Sequence, residues 1–293
     1  MLVHISELIK DAQEKKYAIG AFNIENLETT LGVVRGAINR KAPIILQVSE
    51  TSIQYAGLKA ITSIVQTIAS AEAEDVPIAL HLDHGKTFKA VAECVRAGFS
   101  SIMMDASDMP LMENIIMTKQ AVDFAHQKNV YAQGELGVVK GLEEVSEEER
   151  EKMMTDPEEA EEFVAKTNVD TLAVAVGNVH GIIKMQKGNP GLDMDRLEKI
   201  HNKIPDTPLV LHGASGLPQD QIYKGINLGI HIINIDTELR MAFTSSLRDT
   251  LVRDNSIFDP RQVLGPSIDA IKQVVEEKID MFGSGGAAKN INN

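Results

Sequence analysis

Three histidines of this chain, His84, His180 and His212, each follow a short apolar run, at Pro77–Leu82, Thr171–Val176 and Pro208–Leu211. Imidazoles arriving from three separate strand ends make a ligand set for a divalent transition metal and leave a position open for a substrate oxygen. Zn2+ is the expected ion, because it tolerates that geometry and polarises a carbonyl strongly. Glu135, at the end of the run Val130–Leu136, could be a fourth or alternative ligand, and Asp105 could serve a second metal position. Two carboxylates remain for proton transfer. Asp83 would exchange a proton with a hydroxyl or aldehyde oxygen, and Glu143 with carbon. Gly181 and Lys184 follow His180, while Gly213-Ala214-Ser215-Gly216 and Asn234-Ile235-Asp236-Thr237 end two later runs; backbone N–H groups and hydroxyls there suit a phosphate. A cation beside a phosphate holder and two carboxylates points to enediolate formation, which is aldol chemistry without a Schiff base. Lys86 and Lys140 could in principle form an imine, but neither lies in a strand where burial would depress its pKa.

Any one of these histidines alone would read more readily as a packing residue; arriving together, three reverse that reading. His4, His126, His201 and His231 lack the setting and are expected on the surface or in the core. His81 is expected outside the immediate neighbours of Asp83, supporting the site from behind.

The elements that must position these groups follow from hydrophobic pattern. Eight apolar runs, at Ala18–Phe22, Pro43–Val48, Pro77–Leu82, Ser100–Met104, Val130–Leu136, Thr171–Val176, Pro208–Leu211 and Ile230–Ile235, alternate with helical periods such as Asn26–Asn39, Leu58–Ala73, Phe88–Ala97 and Leu111–Gln127. Such alternation implies parallel strands with crossover helices, and eight units imply a closed α/β barrel of the TIM (β/α)8 type in one domain. A doubly wound sheet competes, but no Gly-x-Gly-x-x-Gly follows the first run. In a barrel every C-terminal strand end opens on one face, which would gather Asn23, Ser49, Asp83, His84, Asp105, Glu135, His180, His212, Ser215, Asn234 and Asp236 around one mouth. The barrel is expected over residues 1–283, with a long acidic loop at about 137–156, an amphipathic helix from Val263 to about Phe282, and a flexible tail over 284–293.

Composition narrows the partners. The net charge of −13 and 4% aromatic content, without a basic stripe, argue against nucleic acid. No run approaches membrane-spanning length, and neither an apolar signal core nor a second cysteine beside Cys94 suggests export; the chain is expected to be cytoplasmic and free of the membrane.

The motifs His81-Leu82-Asp83-His84-Gly85, Met104-Asp105-Ala106-Ser107, Gly134-Glu135-Leu136-Gly137, Gly177-Asn178-Val179-His180-Gly181, Leu211-His212-Gly213-Ala214-Ser215-Gly216, Asn234-Ile235-Asp236-Thr237 and Asp259-Pro260-Arg261 resemble, in order and spacing, those of the class II, metal-dependent ketose-bisphosphate aldolases. The resemblance covers nearly all the chain. It implies zinc on His84, His180 and His212 with Glu135 close by, Asp83 as proton donor, and Glu143 as the loop glutamate acting on carbon. It places Gly181, Lys184, Gly213, Ser215, Asn234, Asp236 and Thr237 against the dihydroxyacetone-phosphate half, with a monovalent cation (Na+ or K+) at carbonyls beside Gly181 and Gly213. It also implies that Arg261 reaches the other phosphate from a neighbouring subunit, within a homodimer or homotetramer. The sequence departs from the usual pattern at Gln133-Gly134, where Ala is common, at Val138-Val139-Lys140-Gly141 and at Ala214. The activity expected is reversible cleavage of fructose 1,6-bisphosphate. A tagatose-1,6-bisphosphate or other phosphorylated-ketose aldolase is the nearest alternative; a metal-dependent hydrolase on the same barrel and a non-catalytic sugar-phosphate sensor lie further off.

Overall fold

The computed structural model describes residues 1–138, 147–178 and 191–291. Eight parallel strands close into a barrel in sequence order: β1 (Ile19–Asn23), β2 (Ile44–Ser49), β3 (Ile78–Gly85), β4 (Ser101–Met104), β5 (Tyr131–Leu136), β6 (Thr171–Val174), β7 (Leu209–Leu211) and β8 (Ile230–Ile235), with β8 pairing back onto β1. The expected (β/α)8 architecture is the one observed, each strand lying within a residue or two of its apolar run except β3, which continues three residues past Leu82 to Gly85.

Strand side chains alternate between faces, so one interior column per strand can be read at every second residue. Low in the barrel these columns are apolar: Ala21, Ile45, Ala79, Ala173, Val210 and Ile232 form a common cluster, which the helix Ile5–Lys15 closes from beneath with Ile5, Leu8, Ile9 and Ala12. Two residues further on, the same columns present Asn23, Gln47, His81, His212 and Asn234, all buried. The polar site is therefore the next storey of the packed interior, and the apolar storey below it fixes where each polar side chain stands. The outward faces, including Phe22, Leu46, Val48, Leu80 and Leu82, pack under the helices in a second, larger cluster.

Helix boundaries follow local chemistry. Leu27–Arg40 begins with a capping box between Asn26 and Thr29, and Phe88–Ala97 is capped by Thr87. The last long helix, Pro260–Phe282, starts at an Asp259 cap with Pro260 in its first turn and packs on Leu27–Arg40, where Gly32 and Gly36 allow close approach to Ile271 and Val275. The acidic stretch contains the helix Glu147–Met153, which Glu151 ties to Arg196, and the helix Pro157–Thr167 follows it.

The C-terminal residues expected to form a flexible tail are docked as far as Ile291. The amides of Gly286 and Ala288 donate to the carbonyls of Arg40 and Lys41 at 2.8 and 3.0 Å, and Ala287 and Ala288 are buried. The glycines suggested freedom, but the alanines after them supply apolar surface for the barrel floor. Among the described residues, no helix is long and apolar enough to cross a membrane.

Candidate active site

Asp83 and His84 are consecutive, so in a regular strand they would face opposite ways. The pairing of β3 with β4 shifts register between Leu82 and Gly85, and His84 takes a left-handed φ of 48°. This bulge turns both side chains toward the mouth. Left-handed backbone costs a non-glycine residue about 1–2 kcal/mol, a strain held in place by its surroundings. Gly85 completes the device, because a Cβ there would lie 2.5 Å from the Met103 carbonyl oxygen.

Around His84 the barrel gathers an anionic cluster. His84 Nδ1 lies 2.7 Å from Asp105 Oδ2 and 3.5 Å from Glu135 Oε2, and its Nε2 lies 3.9 Å from Asp83 Oδ1. The His212 ring stands edge-on to the His84 ring with centroids 4.7 Å apart, and His212 Nδ1 is 3.7 Å from Glu135 Oε2. Asp83 receives the Asn23 amide at 2.8 Å and the Asn234 amide at 3.4 Å, while Gln47 donates to Asn23. Asn178 donates to the backbone carbonyl of His212 at 2.9 Å and fixes the start of the loop that follows β7.

The charges describe a site that asks for a cation. Burial by itself would lower His84, but Asp83, Asp105 and Glu135 outweigh it and raise its pKa to about 10. Burial, reinforced by Asp105 and Asp83, pushes Glu135 up to about 8 although His84 and Lys86 oppose it. For Asp83 burial acts upward too, yet His84, His212 and the Asn23 amide overcome it and hold the carboxyl below its ordinary value. Glu135 Oε2 is buried with no hydrogen-bond partner among the described residues. Ligand atoms of Asp83, His84 and His212 lie within 4.8 Å of one another, as do those of His84, Asp105 and Glu135. An ion-sized gathering of imidazole and carboxylate with an unspent buried oxygen fits a divalent metal. His180, the third expected imidazole, lies outside the described residues, as do Glu143, Gly181, Lys184 and Lys140.

Asn23, Asp83, His84, Gly213, Ser215, Asn234, Asp236 and Thr237 line one cavity, so most of the expected substrate positions adjoin the ligand cluster. The helix Thr237–Arg253 begins at this cavity without a side-chain cap, and its first N–H groups add positive potential. Glu238 accepts from the Gly216 amide at 2.8 Å and pairs with the largely buried Lys278 at 2.6 Å, which anchors the loop after β7. Ser49, opposite Asp83 in register, caps the helix Glu50–Ala56. Arg261 does not line the cavity; it is exposed and bonded to Asp259. Lys86 reaches Asp105 Oδ2 at 3.0 Å as a paired ammonium. A larger hollow of about 870 Å³ beside Glu72 and Val76 brings together no such ligand set among the described residues.

One placement differs from expectation, and one residue of the site had no expected role. His81 shares the interior face with Asp83, one storey below it, and faces Ser101 Oγ at 2.8 Å; residues two apart in a strand point the same way. Gln133, noted in the sequence only as a departure from pattern, stands against His212 Nε2 at 3.2 Å. Its signal was its spacing, two residues before Glu135 on an interior column.

Comparison with known proteins adds the lineage. A family model described as fructose-bisphosphate aldolase class-II matches residues 3–287. The chain is 42% identical over 288 residues to a fructose-bisphosphate aldolase of Geobacillus stearothermophilus, covering 98% of this chain and 99% of that one. Against the fructose-bisphosphate aldolase of Thermus caldophilus it is 41% identical, over 98% and 100% of the two chains. Among solved structures it is similar to the YdjI aldolase from Escherichia coli K12, with a TM-score of 0.84, 33% identity, and coverage of 98% and 100%. The strand-end cluster and a match running from Val3 to Ala287 thus have one explanation: the chain belongs to the class II fructose-bisphosphate aldolase family.

Proposed function

We propose that the protein reversibly cleaves fructose 1,6-bisphosphate to dihydroxyacetone phosphate and glyceraldehyde 3-phosphate. The observation that carries this reading is the cluster of half-buried His84 with buried His212, Glu135 and Asp83, set beside the uncapped start of the helix at Thr237. The relatives named as fructose-bisphosphate aldolases support it.

A zinc ion would be held by His84, His180 and His212, with Glu135 as alternative ligand, and Asp105 is available to a second position. When bound it polarises the ketone carbonyl of the substrate. The remaining steps belong to side chains. Gly213, Ser215, Asp236 and Thr237, with Gly181 and Lys184, hold the phosphate next to that carbonyl, and the helix N-terminus favours its charge. Asn23 and Asn234 orient Asp83, whose carboxylate takes the proton of the C4 hydroxyl as the C3–C4 bond breaks and the C4 oxygen becomes an aldehyde. The electron pair left on C3 is delocalised toward the carbonyl, and Glu143 returns a proton to C3. Burial of Asp83, Glu135 and His212 limits the access of water to this exchange. A monovalent cation beside Gly181 and Gly213 would add to the phosphate site, and Arg261 of a neighbouring subunit would meet the distal phosphate. The compartment expected is the cytoplasm.

A coupled assay tests the reading on fructose 1,6-bisphosphate and its tagatose epimer, before and after chelation and zinc add-back. The fructose epimer should be the better substrate, with cleavage lost on chelation and restored by zinc. Cleavage that survives chelation and is trapped by borohydride would establish a Schiff-base enzyme instead.

A further inference from the structure

Gln133 is a buried amide wedged between Met103 on β4 and Thr171 on β6, its register partners. Its Nε2 is 3.3 Å from Met103 Sδ and 3.2 Å from His212 Nε2, and its Oε1 is 3.5 Å from Thr171 Oγ1. Burying a primary amide costs free energy unless its groups are bonded, and two nitrogens facing each other bond only if one carries the hydrogen and the other a lone pair. His212 turns its other nitrogen, Nδ1, toward Glu135 Oε2 in the ligand cluster. A neutral imidazole has one N–H, so a lone pair at Nδ1 for a metal requires the hydrogen at Nε2. The partner at Nε2 must then be an acceptor. Rotating the terminal amide of Gln133 by half a turn exchanges its oxygen and nitrogen without moving other atoms. The oxygen then faces His212 Nε2–H, giving up the amide donation to Met103 Sδ, and the NH2 group faces the Thr171 hydroxyl as its acceptor.

We propose that Gln133 is a positioning residue whose amide oxygen accepts the His212 Nε2 hydrogen, holding that imidazole in the tautomer that offers Nδ1 to the metal. This rests on the metal-dependent reading above. Asp105 stands in the corresponding relation to His84, at the nitrogen turned away from Asp83. The two second partners differ in charge for a physical reason: Asp83, Asp105 and Glu135 already crowd the cluster with carboxylates, and a neutral acceptor fixes His212 without adding another.

The experiment compares wild type, Gln133→Glu and Gln133→Met. Zinc affinity is measured on metal-free protein by competition with a chelator, alongside the urea midpoint of the same metal-free samples. A carboxylate can only accept, so Gln133→Glu should bind zinc at least as tightly as wild type. Gln133→Met keeps the bulk and loses the acceptor, and should weaken zinc binding about 10–100-fold, beyond any shift in the urea midpoint. Equal zinc affinity in wild type and Gln133→Met overturns the assignment. So does a loss in Gln133→Glu as large as in Gln133→Met, because the amide would then be the donor. A wild type that binds no zinc overturns the metal reading itself, and this assignment with it.

Discussion

Asn23 Nδ2 donates to Asp83 Oδ2 at 2.8 Å across two strands, and Gln47, from the strand between them, donates in turn to Asn23 Oδ1 at 3.1 Å. The chain of amides fixes the carboxylate proposed to move the C4 proton. Asp83→Asn should therefore lower kcat by about 10²–10⁴-fold. Asn23→Ala, which leaves the carboxylate but frees its orientation, should cost up to about 10²-fold. Steady-state kinetics on zinc-loaded protein of verified metal content reads both; an Asp83→Asn enzyme with wild-type kcat would remove Asp83 from the mechanism.

Gly85 is required by space. A methyl group at this position would meet the Met103 carbonyl at 2.5 Å, and backbone cannot rotate away as a side chain does. Gly85→Ala should destabilise the fold by about 1–3 kcal/mol through overpacking, read as a lower urea midpoint. Because the bulge aims His84, zinc affinity should fall with it; an unchanged midpoint would mean that β3 has slack the structure does not display.

The Lys278–Glu238 pair is largely shielded and holds the Gly216 amide through the second carboxylate oxygen. Lys278→Met leaves Glu238 with an uncompensated charge and should cost about 3–5 kcal/mol. Adding Glu238→Gln to Lys278→Met should recover much of that loss by removing the charge. Urea unfolding of the single and double variants decides the matter, and a double variant less stable than Lys278→Met would contradict it.

His81 supplies a pH dependence with a definite sign. Burial, the largest influence, depresses its pKa from the ordinary 6.5 to about 4, with Asp83 opposing and His84 assisting. Between those values the unfolded chain binds the proton and the folded protein does not, so stability falls as pH drops from about 6.5 toward 4. At pH 5 the loss from this one group should be about 2 kcal/mol. Urea midpoints of metal-free wild type and His81→Gln at pH 7 and pH 5 should diverge accordingly; a pH-independent difference would show that folding leaves the His81 pKa at its ordinary value.

Much of this architecture was legible because a closed parallel barrel leaves a plain imprint: eight apolar runs, each ending in polar residues that the topology must bring to one face. The cluster of Asp83, His84, Asp105, Glu135 and His212 followed from that imprint. What the sequence hid depends on backbone detail. The residue string Asp83-His84 does not disclose the bulge that points two neighbours the same way, and regular alternation would separate them. Gln133 carried no alarm as a residue type, since its role comes from a partner 79 residues away. The docking of Ala287 and Ala288 was masked by neighbouring glycines, whose composition suggests freedom while the alanines supply the contact surface.

Zinc titration of metal-free protein, followed by both bound metal and cleavage of fructose 1,6-bisphosphate, addresses the central claim directly. Cleavage should be absent without metal and rise in proportion to zinc bound, and His212→Ala should abolish both signals together. Full cleavage by protein shown to contain no metal would contradict the account.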